Sequence, residues 1–156
     1  SSGYDRPVLY AIRPTGSGDV TETHVVWKTD KNAPHNSSPI VVGDLFFMAA
    51  DTGVVSCLDA KSGELIWRER VARQTSSSLL HASGRIYLID EQGKTYVFAA
   101  TKSYKLLAEN DLSDRTLASF AADDGTLYVR TASALWRIGE EKVESLHFLS
   151  GKFYVS

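Results

Sequence analysis

The strongest constraint on the fold of this chain is a sequence pattern that returns about every 40 residues. Each copy contains a serine, a short apolar run, a glycine turn and a second apolar run. Gly43, Gly84 and Gly125 mark the turn in three copies and are spaced by 41 residues. Self-similarity at a period of this size is typical of repeat architectures, in which each repeat is one supersecondary unit. The chain is therefore predicted to be an array of similar units.

A second landmark has nearly the same period. Gly53, Gly93 and Ser133 each begin a further short apolar run and are spaced by 40 residues. The runs are rich in Val, Ile, Leu, Phe and Tyr and are bounded by Gly, Asp or Ser, which is how short strands and hairpins are delimited. Each unit is thus predicted to contain four strands. An antiparallel four-stranded sheet at this period indicates a β-propeller blade, and a long β-sandwich is the alternative fold.

We predict an all-β chain, with residues 1–156 forming one partial β-propeller domain of about four blades. The predicted repeats are a half blade at about 7–29, followed by repeats at 38–71, 78–112 and 119–149, with 145–156 starting or completing a further blade. In the half blade, residues 9–13 match a third strand and residues 24–28 match a fourth, with a polar loop at 14–23 between them.

The C-terminal segment matches the part that the half blade lacks. Residues 145–155 repeat the serine, glycine and aromatic pattern of residues 78–88, which is that of the first two strands of a blade. The alternative is that residues 143–149 form the outer strand of the repeat at 119–149. On the first interpretation, the segment supplies what the half blade lacks. These strands could complete the half blade between two chains or within one chain. We expect a homodimer, or association with missing blades of a larger propeller, rather than a closed monomer.

Composition excludes several function classes. The chain has 17 basic and 19 acidic residues and a net charge of -2, so it lacks the basic surface that duplex nucleic acid requires. No apolar run approaches the roughly 18 residues of a spanning helix, so we expect no membrane insertion. The first five residues show no export signal. Cys57 is the single cysteine, which excludes an internal disulfide.

Residues 57–67, with the sequence CLDAKSGELIW, carry the most specific motif of the chain. They resemble the tryptophan-docking motif of quinoprotein-type propellers. The resemblance assigns the small residue to Cys57, the acid to Asp59, the hydroxyl to Ser62, the turn to Gly63 and the docking ring to Trp67. The chain is thereby identified as a degenerate member or fragment of the pyrroloquinoline-quinone-like repeat family, over about residues 7–138.

The motif is expected to act in packing. A tryptophan ring covers about 150 to 250 Å² and can wedge against the neighbouring blade while its N–H reaches a backbone acceptor. Trp27, which lies 40 residues before Trp67, ends the fourth strand of its own unit. In the next repeat the alignment places Leu107 at the position of Trp67 and Ala99 at that of Asp59.

No catalytic, cofactor-binding or metal-binding residue is predicted. The resemblance implies that quinone-using members carry adjacent cysteines, a cluster of calcium ligands and an Asp base, and these are not visible here. Asp123 and Asp124 fit a hairpin turn. The four histidines, His24, His35, His81 and His147, lie on different units without the close spacing of a local metal site.

One cluster remains as a candidate binding site. In a propeller, the connection from one blade to the next passes near the mouth of the central channel. Lys31, His35, Arg73 and Arg115 lie on three such connections and could face one opening. Basic groups there would attract an acidic ligand or the carboxylates of a partner.

The resemblance implies a function as well as a fold. Members without cofactor ligands act outside the cytoplasm as protein-binding platforms, so we expect a non-catalytic scaffold for protein-protein interaction that is periplasmic or secreted. A fragment of a quinone-dependent dehydrogenase is one alternative. A sensor or ligand-binding domain of a signalling protein is another.

Overall fold

A computed structural model describes residues 5–139, and four antiparallel sheets account for nearly all of its regular structure. Sheet I contains β1 (Leu9–Ile12) and β2 (Val25–Thr29), separated by a short helix, α1 (Thr21–His24). Sheet II contains β3 (Ile40–Val42), β4 (Leu45–Ala49), β5 (Val54–Asp59) and β6 (Leu65–Arg70). Sheet III contains β7 (Leu80–Ala82), β8 (Arg85–Ile89), β9 (Lys94–Ala99) and β10 (Leu106–Asp111). Sheet IV contains β11 (Ala121–Asp123), β12 (Thr126–Arg130) and β13 (Leu135–Ile138).

Within each sheet the strands pair with their neighbours in chain order. Such an up-and-down arrangement requires tight turns, and the sequence supplies residues that accept positive φ. Ser83 and Gly84 (φ 50° and 74°) join β7 to β8, and Asp124 and Gly125 (φ 40° and 77°) join β11 to β12. Positive φ at both central residues is the geometry of a type I′ hairpin turn, whose twist matches that of the strands. The predicted all-β fold of a partial propeller is confirmed.

Sheet I differs in detail from the prediction. The segment predicted as a polar loop at 14–23 ends in the single helical turn α1, and the second strand begins at Val25 rather than His24. The turn is fixed locally, because Thr23 and His24 both donate their backbone N–H to the carbonyl of Val20. One turn leaves no hydrophobic periodicity in the sequence. The end of the predicted repeat at 119–149, and the segment 145–156, lie outside the described residues.

The core lies between the sheets, because each sheet packs its faces against its neighbours. The cluster between sheets II and III includes Phe47, Cys57, Ile86 and Phe98, all fully buried. The central strands β5 and β9 are buried along most of their length, whereas the last strand of sheet III, β10, is exposed throughout. A propeller blade has the same arrangement, because its last strand lies on the outside of the propeller.

The connections fall at two opposite ends of the sheets. At one end, called the loop end here, the connections between sheets meet the β4–β5, β8–β9 and β12–β13 hairpins. There Asp51 accepts the backbone N–H of His35, and the carbonyl of Arg115 accepts the N–H of Ala132. The opposite end, called the hairpin end here, carries the β3–β4, β5–β6, β7–β8, β9–β10 and β11–β12 hairpins and no connection between sheets II, III and IV. There the side chain of Lys61 pairs with that of Asp44. No helix within residues 5–139 is long and apolar enough to cross a membrane.

Candidate functional site

The turn of the docking motif is built around Asp59, at the end of β5. Its Oδ1 accepts the backbone N–H of Lys61 (2.9 Å), the backbone N–H of Ser62 (2.9 Å) and the hydroxyl of Ser62 (3.1 Å). The backbone donors of Ser62 and Lys61 hold the pKa of Asp59 below its usual value, because they stabilise the carboxylate form. Asp59 and Ser62 therefore fix the shape of the β5–β6 hairpin, as the motif predicts.

Trp67, on β6, docks against the next sheet. Its indole Nε1 donates to the carbonyl of Thr101 at 3.0 Å, in the β9–β10 hairpin of sheet III. Its ring lies 6.2 Å from Phe98 and 5.4 Å from Tyr104 in that sheet, and 5.9 Å from Phe47 in its own sheet. The tryptophan thus joins two sheets through aromatic packing and one directed hydrogen bond.

Trp27 repeats this arrangement between sheets I and II. Its Nε1 donates to the carbonyl of Ala60 at 3.1 Å, and its ring meets Phe46 edge-on at 5.5 Å. The ring covers the turn at Gly63, where a Cβ would lie 2.6 Å from the indole. Glycine is therefore required at position 63 for two reasons. Its φ is positive, and the Trp27 ring occupies the space that a Cβ would need.

The assignment of Leu107 to the position of Trp67 is wrong by one residue. Trp67 pairs with Cys57 in the β5–β6 ladder, and the residue that pairs with the equivalent Val97 is Ala108. The β9–β10 hairpin is one residue longer than the β5–β6 hairpin, which shifts the register. Leu107 instead lies at the bulge of β10. Sheet III therefore presents a methyl group where sheets I and II present an indole.

Cys57, the small residue of the motif, lies fully buried and pairs across the ladder with Trp67. Burial raises the pKa of its thiol to about 11, because a thiolate would lose its hydration there. A thiol in this environment is packed as a small hydrophobe and is poorly nucleophilic. It also has no adjacent cysteine, so it does not fit the cysteine pair that the resemblance associates with pyrroloquinoline quinone.

The structure places the four predicted binding residues on connections at the loop end. Lys31 and His35 lie between β2 and β3, Arg73 lies between β6 and β7, and Arg115 lies between β10 and β11; all four are exposed. The Nδ1 of His35 lies 3.4 Å from Oδ2 of Asp51, which also accepts the side-chain amide of Asn36 at 3.0 Å. His35 is therefore held by a carboxylate of the β4–β5 hairpin.

Arg73 and Arg115 occupy neighbouring rather than equivalent loop positions. The carbonyl of Arg73 lies over Gly53, as that of Asp114 lies over Gly93, so Asp114 is the counterpart of Arg73. Arg115 lines an open groove of about 530 Å³ together with Arg130, at the end of β12. The loop end thus brings Arg115 beside a second arginine that sequence reasoning missed.

Asp51 and Arg130 were missed because neither belongs to a recognisable motif. The signal that could have identified them is the repeat itself, since both lie near the point where a central strand meets the loop end. The hydroxyl run at 75–78 is structural: Thr75 and Ser77 both donate to the carbonyl of Ile89. In the part of the chain that the structure describes, no three His, Cys, Asp or Glu side chains are grouped to hold a metal ion.

Comparison with known proteins identifies the family. The model of the family described as outer membrane protein assembly factor BamB matches residues 17–152. The BamB of Yersinia pestis is 24% identical over 128 residues, covering 76% of this chain and 32% of that protein. The BamB of Escherichia coli is 26% identical over 100 residues, covering 64% of this chain and 25% of that protein. The chain thus spans a quarter to a third of the length of these relatives.

Solved structures agree on the fold. The crystal structure of BamB from Moraxella catarrhalis superposes with a TM-score of 0.62 at 13% identity, covering 75% of this chain and 34% of that chain. A quinohemoprotein alcohol dehydrogenase from Pseudomonas putida HK5 superposes with a TM-score of 0.56 at 17% identity, covering 67% of this chain and 19% of that one. Since the family model covers most of the sequence, the chain belongs to the pyrroloquinoline-quinone-like repeat family of outer membrane protein assembly factor BamB.

Proposed function

We propose that this chain is a non-catalytic β-propeller scaffold that binds protein partners outside the cytoplasm, in the periplasm of a cell with an outer membrane. The observation that carries the proposal is the match of residues 17–152 to the BamB family, whose name describes an assembly factor. The relatives found by sequence carry the same name. Assembly of outer membrane proteins is the process in which we expect the partner to act.

The chemistry of the docking motif supports a scaffold. Asp59, Ser62 and Trp67 are engaged with the backbone and with neighbouring rings, so they hold the sheets together. Cys57 is buried with a raised thiol pKa. The residues that give this family its sequence signature thus serve packing in this chain, and binding falls to the exposed connections.

The partner surface that we propose is the loop end. Lys31, Arg73 and Arg115 extend from three successive connections, and His35 lies beside Asp51 on the first of them. Guanidinium groups bind carboxylates through paired hydrogen bonds, which favours a partner with acidic side chains. The open groove lined by Arg115 and Arg130 places two guanidinium groups at this end.

Site-specific photo-crosslinking tests the proposal. A photoreactive residue at position 115, in the complete natural protein, is expected to cross-link to a component of the outer membrane protein assembly machinery of the source organism. The matched control is position 85, because Arg85 is equally an exposed arginine but begins β8 at the hairpin end. Equal cross-linking from both positions, or none from position 115, would contradict the proposal.

A second candidate function is supported by the structural likeness to quinohemoprotein alcohol dehydrogenases. On that reading, the chain is a fragment of a quinone-dependent dehydrogenase, and its cofactor ligands belong to other blades. The chain shares its fold with these dehydrogenases. Its single, buried Cys57 does not fit the cysteine pair that the resemblance associates with the quinone-using members. Binding of the quinone cofactor would favour this candidate over the scaffold.

A further inference from the structure

The last strand of sheet III, β10, is exposed along its whole length. It pairs with β9 on one side, and within residues 5–139 no strand pairs with its other side. Alternate backbone N–H and C=O groups of a terminal strand point away from the sheet and form a template for one more strand. The outer edge of β10 is therefore a surface to which an extended polypeptide can add as a strand.

The acidic side chains of this edge lie on the side of sheet III that faces sheet II. Glu109 pairs across the ladder with Tyr96, and Asp111 pairs with Lys94. Tyr96 belongs to the core cluster between sheets II and III, and cross-strand partners share a face, so Glu109 lies on that face. Asp111 follows two residues later and lies on the same face. The edge thus carries two carboxylates at alternate positions.

Sheet II adds a third carboxylate opposite this edge. Glu69 on β6 pairs with Val55, a member of the same core cluster, so Glu69 lies on the face of sheet II that faces sheet III. Burial raises the pKa of Tyr104, and the charges of Glu69 and Glu109 raise it further, because they oppose ionisation of the phenol. Carboxylates of both sheets therefore lie near Tyr104 at the outer rim.

The chain neutralises only part of this negative charge. The Nζ of Lys94 lies 2.9 Å from Oε2 of Glu109, in a pair of half-exposed side chains for which water competes. Arg68 and Arg70 lie on the opposite face of sheet II from Glu69, because side chains alternate along a strand. On the facing sides of β5, β6, β9 and β10, three carboxylates thus accompany one ammonium group.

This charge selects the occupant of the edge. A second copy that added its own β10 would bring like charges together, which destabilises a strand pair. The arginines of β6 are already bound within their own sheet, to the hydroxyl of Ser56 and the carbonyl of Thr52. Lysine and arginine side chains of another polypeptide match the carboxylates. Since every second side chain of a strand shares a face, basic residues at positions i and i+2 would meet Glu109 and Asp111.

We propose that the outer edge of β10 binds an extended segment of a partner polypeptide that carries lysine or arginine at alternate positions. Lys102 and Lys105 lie in the hairpin before β10, so the acidic part of the edge is the part nearer the loop end. The inference rests on the proposed function in that the occupant is a protein partner. It goes beyond that function, because the loop end favours acidic groups of a partner whereas this edge favours a basic segment.

Fluorescence anisotropy with a labelled peptide tests the match of charge. The probe is a ten-residue peptide of threonine and valine with arginine at two alternate positions. The control peptide has the same composition with the two arginines adjacent, which places them on opposite faces of a strand. We expect saturable binding of the probe that weakens as salt rises, and about two- to fivefold weaker binding of the control peptide. Equal binding of the two peptides overturns the proposal.

Protein variants test the residues. Glu109→Gln combined with Asp111→Asn should weaken binding of the probe about tenfold, because both ion pairs are lost. The matched control combines Glu22→Gln with Asp123→Asn, which makes the same change in charge at exposed positions on α1 and β11. This control should leave binding unchanged. Equal weakening by the two double variants would show general attraction to an acidic protein and overturn the assignment.

Amide hydrogen exchange, followed by NMR, tests strand addition itself. In the free protein, the alternate amides of β10 that point away from β9 should exchange fast, and the probe should slow them. Protection of these amides before the probe is added would show that residues 140–156 or a second copy already covers the edge, and would overturn the proposal. Binding of the probe without slower exchange would show that charge alone holds it, and strand addition would be wrong.

The outcome is separable from that of the cross-linking experiment. Lack of saturable binding of the probe to the parent overturns this inference and leaves the cross-link from position 115 to decide the proposed function. Failure of that cross-link, with the probe bound as expected, would leave a site for basic segments without the proposed process.

Discussion

The backbone N–H of Ser38 donates to the side-chain oxygen of Ser78 at 2.9 Å, across the boundary between sheets II and III. One repeat further on, Ser78 donates in the same way to Ser119 at 2.8 Å. The serine that marks each repeat in the sequence is therefore a link between successive sheets. Donor and acceptor are 40 residues apart in the first link and 41 in the second, which matches the period of the sequence.

Removing this link should weaken the packing of adjacent sheets. We expect Ser78→Ala to lower the free energy of unfolding by about 1 kcal/mol, because the N–H of Ser38 loses its acceptor. For a chain of this size the Tm should fall by about 2 to 4 °C. Ser103→Ala, in the exposed β9–β10 hairpin, is the control and should leave the Tm unchanged. Equal effects of the two substitutions would show that the link contributes nothing.

Trp67 should be a major structural anchor. Trp67→Ala is expected to cost about 3 to 5 kcal/mol of unfolding free energy, because it removes a ring packed on Phe47, Phe98 and Tyr104. Trp67→Phe keeps most of the ring but loses the hydrogen bond to Thr101, so its cost should be smaller. Urea unfolding measures the loss of unfolding free energy in both variants. In thermal unfolding, a Tm of Trp67→Ala within a degree or two of that of the parent would refute the docking role.

Two glycines with the same backbone geometry separate strain from ring contact. Gly63 and Gly84 both have φ of 74°, so replacement by alanine costs each about 1 to 2 kcal/mol of backbone strain. A Cβ at Gly63 would also collide with Trp27, whereas at Gly84 nothing lies within 4 Å. Gly63→Ala should therefore be the more destabilising, by a further 1 to 3 kcal/mol or so. Equal losses of unfolding free energy in the two variants, measured by denaturant unfolding, would mean that the Trp27 ring moves aside at no cost.

The buried thiol predicts a pH dependence of stability. The folded state raises the pKa of Cys57 from 9.0 to about 11, so folding opposes ionisation of the thiol. The corresponding stabilisation is fully present below pH 9 and is lost as the pH rises to about 11. Denaturant unfolding of the parent and of Cys57→Ala should give a difference in unfolding free energy that shrinks across this window. A difference independent of pH would show that Cys57 is hydrated in the folded state.

An unpaired strand edge predicts self-association. Within residues 5–139, sheet I contains β1 and β2 alone, without counterparts of the first two strands of sheets II and III, so β1 has backbone groups without a strand partner there. We expect a homodimer, or assembly with further blades of a larger protein. Light scattering during gel filtration should give a mass above the 17.1 kDa of one chain that rises with concentration. A constant mass of 17.1 kDa at all concentrations would contradict this prediction.

Much of the fold was predictable because the repeat fixes turns and packing together. Glycines at the turns bound the strands. The place of Trp67 against the next sheet followed from the docking motif that residues 57–67 resemble, and aromatic packing explains it physically. The register of β10 was not predictable, because one extra hairpin residue moves the equivalent position from Leu107 to Ala108. Sequence alignment cannot show where a bulge absorbs an insertion.

The candidate site was less predictable than the fold. The position of Lys31 and Arg73 on connections between sheets followed from the predicted strand order. The contacts that other residues of these connections make with neighbouring hairpins could not be predicted. His35 meets Asp51, which lies 16 residues away and is positioned only by the β4–β5 hairpin.

We propose that a repeat shared with quinone enzymes serves in this chain as a scaffold without the cofactor. The most direct measurement is a titration of the chain with pyrroloquinoline quinone and calcium, following the fluorescence of its three tryptophans. A quinohemoprotein alcohol dehydrogenase stripped of its cofactor is the positive control. We predict no saturable change for this chain and no oxidation of alcohols or sugars by the mixture. Saturable binding in the micromolar range would contradict it and favour a fragment of a quinone-dependent dehydrogenase.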